Sequence, residues 1–404
     1  MLMNLLAIIV FLLMFMVLVS VHELGHYLAA RYFNMGVSEF SVGMGRPIVK
    51  TWARRKYITD EGEEQETLFN FRAWPIGGFV KIIGMEPDEE GNENRVVGGF
   101  YGKEPWKRIV VLLAGPVFSL VFGWIILVGV FASSGIYVPN NVVYRVEEGQ
   151  PAQLSGLTKG DRVVSIDGKP IKEMNDAIGI IRASDGKPMV FKIQRKGQDL
   201  DLTIKPTLSA EERPVIDEDG VPIGGFKKFP QVGVAFDQDH VYPGISGAMG
   251  EATMFPVKQV QAMVKRVTQP QVLINNSAGV VGMAVVTKEA VSAGLSTVFQ
   301  ITGMISLSLG IFNLLPIGPL DGGQILLSLI EWVRKGKRVS IQAQMRFFLT
   351  GIALMVCLFA FRFYKDLVQF VIPGRENVII GTGKAPKTPV QDSNTPNANN
   401  APVK

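Results

Sequence analysis

Residues 21–26, VHELGH, contain the side chains of this 404-residue chain that are most able to do chemistry. His22 and His26 are four residues apart, so a helix places their imidazoles one turn apart on one face. Two neutral ring nitrogens in this arrangement can bind one Zn²⁺, and Glu23 between them can accept a proton from the attacking water. A coincidental polar patch at a membrane boundary is the alternative. Two of the chain's three histidines lie here, which favours a hydrolytic metal site.

The third metal ligand must come from elsewhere in the chain, because zinc hydrolases usually supply three protein ligands. The remaining histidine, His240, falls in a region that we predict to lie across the membrane. Asp321 follows a Pro-Ile-Gly-Pro break in the segment FNLLPIGPLDGG and is the leading candidate, although it could also be a solvated turn residue. Asn313 of this segment could donate a hydrogen bond to an oxyanion, or only join two helices.

Four apolar runs can place these residues in a membrane. They cover about residues 3–21, 108–132, 294–317 and 347–361. A span needs about 20 residues. The fifteen residues of the last run, between Arg346 and Arg362, therefore require either snorkelling arginines or a helix that begins earlier. The first run lacks a preceding basic segment and a following cleavage site, so we expect it to be retained rather than removed as a signal peptide.

Basic residues follow the first run and precede the fourth, and such loops lie on the cytoplasmic side. This predicts that both termini and residues 133–293 lie outside, and that VHELGH lies near the inner face. The net charge of +5 comes largely from loops beside apolar runs, so it does not indicate nucleic-acid binding. Cys357 is the single cysteine, which excludes an intramolecular disulfide.

The remaining segments complete the predicted architecture. Residues 68–84 alternate in polarity and include Gly77-Gly78, which favours a β-hairpin, either membrane-associated or cytoplasmic. Residues 139–207 have the short strands and turns of a soluble domain. The fold class is thus a polytopic α-helical membrane protein with about four transmembrane helices, a membrane-associated β-hairpin and an inserted β-rich domain. The predicted units are an N-terminal membrane region (1–132), the β-rich domain (139–207), a linker and amphipathic membrane-surface segment (208–293), a C-terminal membrane region (294–372) and a disordered tail (373–404).

HELGH after the first run and FNLLPIGPLDGG after the third resemble motifs of the site-2 protease family of intramembrane zinc metalloproteases, peptidase family M50. The bacterial regulator of sigma-E protease branch is the most similar. The resemblance implies one Zn²⁺ per chain held by His22, His26 and Asp321, with Glu23 as the catalytic acid/base and Asn313 assisting catalysis.

Other segments extend the resemblance over most of the chain. WPIGGFVKIIG is similar to the family's membrane-reentrant β-element, which implies that Gly77, Gly78 and Phe79 contact substrate. AGPVFS matches the family's AGPxxN pattern except that Ser119 replaces Asn, and SAGVVG at 277–282 departs from SGPVG. QLSGLTKGDRVVSIDGKPI resembles the family's PDZ domains, and only one such domain can be placed, as in single-PDZ members.

The resemblance implies a metalloendopeptidase that cuts transmembrane segments of membrane proteins in the bacterial inner membrane. Regulated intramembrane proteolysis of anti-sigma factors or remnant signal peptides is the expected role. The active site would lie near the cytoplasmic side, and the PDZ domain would lie outside, where it would filter substrates and could bind a peptide or protein ligand. A PDZ-bearing membrane scaffold or chaperone with a non-catalytic zinc site is the alternative. The intact Glu23 argues against it, because a structural zinc site does not need this carboxylate.

Overall fold

The computed structural model describes residues 2–58, 64–85, 96–172, 174–209, 213–216, 222–267 and 280–371. The predicted disordered tail, 373–404, lies outside the described residues, as do residues 277–279 of the SAGVVG segment. The described helices are α1 (Leu2–Tyr32), α2 (Pro105–Ser134), α3 (Pro151–Leu154), α4 (Met174–Ala183), α5 (Gly244–Val267), α6 (Val280–Ala293), α7 (Leu295–Asn313), α8 (Asp321–Val333) and α9 (Ile341–Val371).

Twelve strands are described, and they fall into separate sheets. They are β1 (Val37–Ile58), β2 (Glu64–Ile82), β3 (Ile136–Val146), β4 (Arg162–Ile166), β5 (Lys169–Pro170), β6 (Met189–Arg195), β7 (Gln198–Ile204), β8 (Thr207–Leu208), β9 (Arg213–Ile216), β10 (Pro222–Lys227), β11 (Pro230–Gln231) and β12 (Val234–Val241).

Within the described residues, four helices are long and apolar enough to cross a membrane, and they coincide with the four predicted runs. They are α1, α2, α7 and α9. Helix α9 begins at Ile341, six residues before the predicted run, so backward extension of the helix supplies the missing length. Helix α2 packs against α1, α5, α7 and α8, and is therefore the central element of the membrane unit.

Residues 68–84 do not form the predicted hairpin with each other. Strand β2 pairs instead with β1, a partner that was not predicted from the sequence. Residues 37–42 of β1 pair on one side with 78–82 and on the other with 68–71. The alternation in 68–84 indicated strand correctly, but the basic residues between 46 and 56 obscured the strand pattern of the true partner. Phe40 and Phe69 on one face of this sheet pack edge-on against Tyr27 of α1, which fixes the sheet to the helix that carries VHELGH.

The β-rich unit is one sheet with strand order β12-β3-β4-β6-β7, and β5 pairs with β4. Alternate residues of β6, namely Met189, Phe191 and Ile193, are buried and form its core together with Ile166 and Ile204. Strand β12 pairs with β3 from Val234 opposite Val146 to Val241 opposite Ile136. The domain therefore extends beyond the predicted boundary at 207.

Part of residues 208–293 is more ordered than the predicted linker, and the membrane-surface placement of the amphipathic stretch stays a prediction. The stretch predicted as linker contains the β9–β10 ladder and strand β11. Helix α5 packs along α2 and α7, with Ala248 and Ala252 buried in that contact. Gln259 of α5 donates a hydrogen bond to Ser308 of α7, at 2.9 Å. The small residues of α5 explain this packing, since they allow close helix contact.

The Asp161–Arg195 pair holds strand β6 of the β-rich unit to the turn before β4. Arg195 Nε and Nη2 each donate to the carboxylate at 2.7 Å, and the Thr158 N–H donates at 2.7 Å. Burial alone would raise the pKa of Asp161, but these hydrogen bonds outweigh burial and hold the pKa below its ordinary value. The stabilisation is therefore present above the ordinary carboxyl pKa and is lost as pH falls through the lowered value.

We predict that Asp161→Asn lowers the free energy of unfolding of this unit by about 1–3 kcal/mol, because a buried charge-assisted bidentate contact is lost. Hydrogen exchange of the β6 and β7 amides in the full-length protein measures the change. Asp199→Asn is the matched control, because the Lys192–Asp199 pair is about half exposed and contributes little. Equal hydrogen-exchange protection in the two variants would show that the buried Asp161–Arg195 pair does not stabilise the β-rich unit.

Candidate metal centre

Helix α1 continues through the apolar run into VHELGH without a break, and it turns both imidazoles towards the protein interior. His22 is 7% exposed and His26 is 8% exposed. Their Nε2 atoms are 3.3 Å apart, so the i, i+4 spacing brings two ligand nitrogens to one point.

Asp321 joins these nitrogens from the far end of the sequence. Helix α7 ends at Asn313, and Leu320 is extended before α8 begins at Asp321. Asp321 Oδ2 lies 3.1 Å from His22 Nε2 and 3.5 Å from His26 Nε2. One ligand atom from each of the three residues lies within 4.8 Å of the other two. Among the described residues, no other group of three or more His, Cys, Asp and Glu side chains comes together in this way. Two imidazole nitrogens and one carboxylate oxygen form a donor set that suits Zn²⁺.

The second ring nitrogen of each histidine is held by α2. His26 Nδ1 donates to the Val111 carbonyl at 2.8 Å, which leaves Nε2 unprotonated in the neutral ring. His22 Nδ1 lies 3.0 Å from Ser119 Oγ, and the Ser119 carbonyl accepts from Ser306 Oγ at 2.7 Å. Ser119 stood out in the sequence as a departure from the family pattern, but neither its contact nor that of Val111 was predicted. The AGPVFS motif was the available signal, since it lies just after Val111 and includes Ser119.

Helices α1 and α2 cross at two glycines. A Cβ on Gly25 would overlap the Ala114 carbonyl, and a Cβ on Gly115 would overlap the His26 imidazole. Glycine is therefore required at both positions for the backbones to approach this closely. The crossing brings the Val111 carbonyl and the Ser119 hydroxyl within reach of the histidines.

Glu23 faces the edge of the β1–β2 sheet. Its Oε2 accepts a hydrogen bond from the Val80 N–H at 3.0 Å. Gly78 also lies beside α1, where a Cβ would be 3.5 Å from Val19 Cγ1. The Phe79 ring lies under the Arg72 guanidinium, whose Cζ is 4.9 Å from the ring centroid. The predicted substrate-contacting stretch is thus brought beside the carboxylate, with Gly77 in the left-handed region at φ +79.

Asn313 and His240, the two other residues weighed from the sequence, are not among the three ligand residues. Asn313 is the last residue of α7 and is half-buried, and within the described residues its side chain makes no hydrogen bond to the ligand side chains. The His240 Nε2 lies 2.6 Å from the Ser134 carbonyl, at the C-terminal end of α2. This places it fifteen residues of helix beyond Ser119, or about 22 Å.

The sequence profile of Peptidase family M50 matches residues 10–358, so the chain belongs to that family. It is a zinc metalloprotease of the multi-pass membrane type, in keeping with its four apolar helices. Among its relatives, a protein of Mesorhizobium japonicum named "Putative zinc metalloprotease" is 28% identical over 88% of this chain and 97% of its own length. A Clostridium perfringens protein that is also named "Putative zinc metalloprotease" is 30% identical over 80% of this chain and 87% of its own length.

A solved structure also matches a segment of the chain. The PDZ domain of an SdrC-like protein from Listeria innocua is 25% identical, covering 25% of this chain and 97% of that domain, with a TM-score of 0.19.

We predict that Gly115→Ala weakens zinc binding at least about tenfold, because the added methyl group displaces His26. Changes to groups that orient a metal ligand typically have effects of this size. Zinc content after dialysis against a graded chelator series measures the loss. Gly129→Ala on the same helix is the control, since a Cβ there meets nothing within 4 Å. Wild-type affinity in the Gly115 variant would contradict the tight crossing.

Proposed function

We propose that His22, His26 and Asp321 hold one Zn²⁺ per chain, and that the enzyme hydrolyses peptide bonds within transmembrane segments of membrane proteins. The observation that supports this most strongly is the position of the three ligand atoms. They converge on the buried side of α1, a helix long and apolar enough to span a membrane, against α2, a second such helix. A hydrolytic site enclosed by such helices is suited to substrates that lie in the bilayer.

The residues around the ligand atoms supply the proton transfers. Bound zinc would polarise the substrate carbonyl and lower the pKa of the attacking water. Glu23 is adjacent to both histidines and is not one of the three ligands, so its carboxylate accepts the proton from that water. Glu23 then returns the proton to the leaving amine. Asn313, at the end of α7, is proposed to donate a hydrogen bond to the oxyanion.

The outer edge of the β1–β2 sheet at residues 78–82 is proposed to receive the substrate backbone. In the described sheet this segment pairs with β1 on one side only, and its Val80 N–H points to Glu23. A substrate helix hides its carbonyls in internal hydrogen bonds and must unwind before cleavage. Pairing the unwound stretch with this edge satisfies its backbone groups where free water is scarce and places a peptide bond beside Glu23. Gly77, Gly78 and Phe79 line this edge.

The membrane arrangement follows from the basic loops. We propose that the site lies near the cytoplasmic side of the bacterial inner membrane, with the termini and the β-rich unit outside. That unit would act as a PDZ domain that binds peptides or excludes substrates with bulky external domains. Anti-sigma factors and remnant signal peptides are the proposed substrate classes.

Glu23→Gln separates catalysis from metal binding. The variant should keep its zinc and lose about 10²–10⁴-fold in cleavage of a model transmembrane peptide, because no group remains to move the proton. Asp321→Ala should lose both zinc and cleavage. Zinc analysis and cleavage assays on the purified proteins test these outcomes together. A Glu23→Gln enzyme with near wild-type cleavage would disprove the mechanism, and full zinc occupancy in Asp321→Ala would place the third ligand elsewhere.

Replacing residues 137–240 by a short linker tests the filter role. Val241 pairs directly with Ile136, so the cut ends are neighbouring strand residues and a short linker can join them. We predict that the shortened enzyme cleaves substrates with intact external domains, whereas the wild type strongly prefers trimmed ones. Cleavage of one substrate in both forms gives the comparison. Loss of cleavage of the trimmed form by a folded, zinc-loaded deletion variant would instead make the unit a required docking element.

A further inference from the structure

We propose that Arg108, Glu331 and Arg338 form a buried ion cluster that positions helix α8, and through it the Asp321 carboxylate, against the two histidines. The inference rests on the metal site proposed above and adds a set of positioning residues to it.

The cluster joins three segments of the chain at one carboxylate. Arg108 Nη2 lies 2.7 Å from Glu331 Oε2, and Arg338 Nε donates to Glu331 Oε1 at 2.8 Å. Arg338 Nη2 also donates to the Tyr101 carbonyl at 3.1 Å. Arg108 is 1% exposed and Glu331 is 7% exposed. Burying such charges carries a large desolvation cost, and removing one partner leaves the others uncompensated. An arrangement of this kind therefore strongly favours one relative position of its elements.

Its place in the fold relates it to the metal ligands. Arg108 is in the first turn of α2, three residues before Val111, whose carbonyl accepts the His26 hydrogen bond. Glu331 is near the end of α8, ten residues or about 15 Å of helix after Asp321. Helix α2 thus contacts the two histidines through Val111 and Ser119, and it contacts the Asp321 helix through Arg108 in its first turn. An ion pair at that point limits sliding and rotation of α8, which would move Asp321 Oδ2 away from the imidazole nitrogens.

An aromatic ring and a small cavity surround the cluster. The Tyr101 ring lies close to both guanidinium groups, with its centroid 5.5 Å from Arg108 Cζ and 5.3 Å from Arg338 Cζ. The adjoining cavity, lined in part by Gln324 and Gln344, is about 30 Å³. That volume is on the scale of one or two water molecules, and water there would hydrogen-bond Arg108 Nε, a buried donor that has no hydrogen-bond partner among the described residues.

Cobalt binding tests the proposal independently of proteolysis, because Co²⁺ reports both affinity and ligand geometry through its visible absorption. Full-length protein in detergent is titrated with Co²⁺. We expect Glu331→Gln and Arg108→Met each to weaken binding about tenfold and to change the spectrum. Arg108→Lys should recover most of both, since it restores the positive charge next to Glu331. Ser328→Ala is the control, because Ser328 is buried on the same helix and bears no charge.

Several results would overturn the inference. One is wild-type Co²⁺ affinity and spectrum in folded Glu331→Gln and Arg108→Met proteins. Another is an Arg108→Lys protein that is as impaired as Arg108→Met. If Arg108→Met fails to fold, the Co²⁺ affinity and spectrum of Glu331→Gln and Arg108→Lys still test the proposal: a wild-type result in Glu331→Gln would overturn it. Wild-type protein and His22→Ala are titrated in parallel: cobalt binding that survives loss of His22 would refute the metal site itself, which is a separate failure from that of the cluster.

Discussion

The close crossing of α1 and α2 is the constraint on which the rest of the structure depends. No side chain fits between the helices at Gly25 and Gly115, so the histidines of α1 lie directly against the α2 backbone. The Val111 carbonyl and the Ser119 hydroxyl then hold the outer ring nitrogens, which leaves both Nε2 atoms facing Asp321. Helix α2 also packs against α5, α7 and α8, so a change in this crossing would be transmitted to these other elements of the membrane unit.

The sequence alone predicted the site residues that follow from local spacing or from the exclusion of other possible ligands. His22, Glu23 and His26 follow from the helical repeat, and Asp321 was selected because His240 was predicted to lie across the membrane. The structure brings the two histidines and Asp321 to one point, and Glu23 to the adjacent sheet edge. Contacts from backbone groups were not predictable, because the Val111 carbonyl and the Val80 amide carry no signal in residue type. The role of Asn313 stays a prediction.

In the fold, too, features set by neighbouring residues were predicted, whereas pairings between distant segments were not. Helix lengths follow from apolar runs, and all four predicted spans coincide with long apolar helices. Strand partners depend on distant residues, so 68–84 was recognised as β-structure but was paired with itself instead of with β1. Likewise, β12 joins the β-rich sheet from beyond the predicted boundary, because its partner β3 lies far earlier in the chain and no local pattern records that pairing.

The sequence distance between the ligands has a consequence for biosynthesis. His22 and Asp321 are separated by 299 residues, although their side chains touch. A ribosome that adds about 5–20 residues per second needs about 15–60 s to span that interval. During this time the nascent chain exposes two imidazoles and a carboxylate but has no complete donor set. The three-residue donor set proposed above is therefore complete only after α8 has been synthesised and has packed against α2.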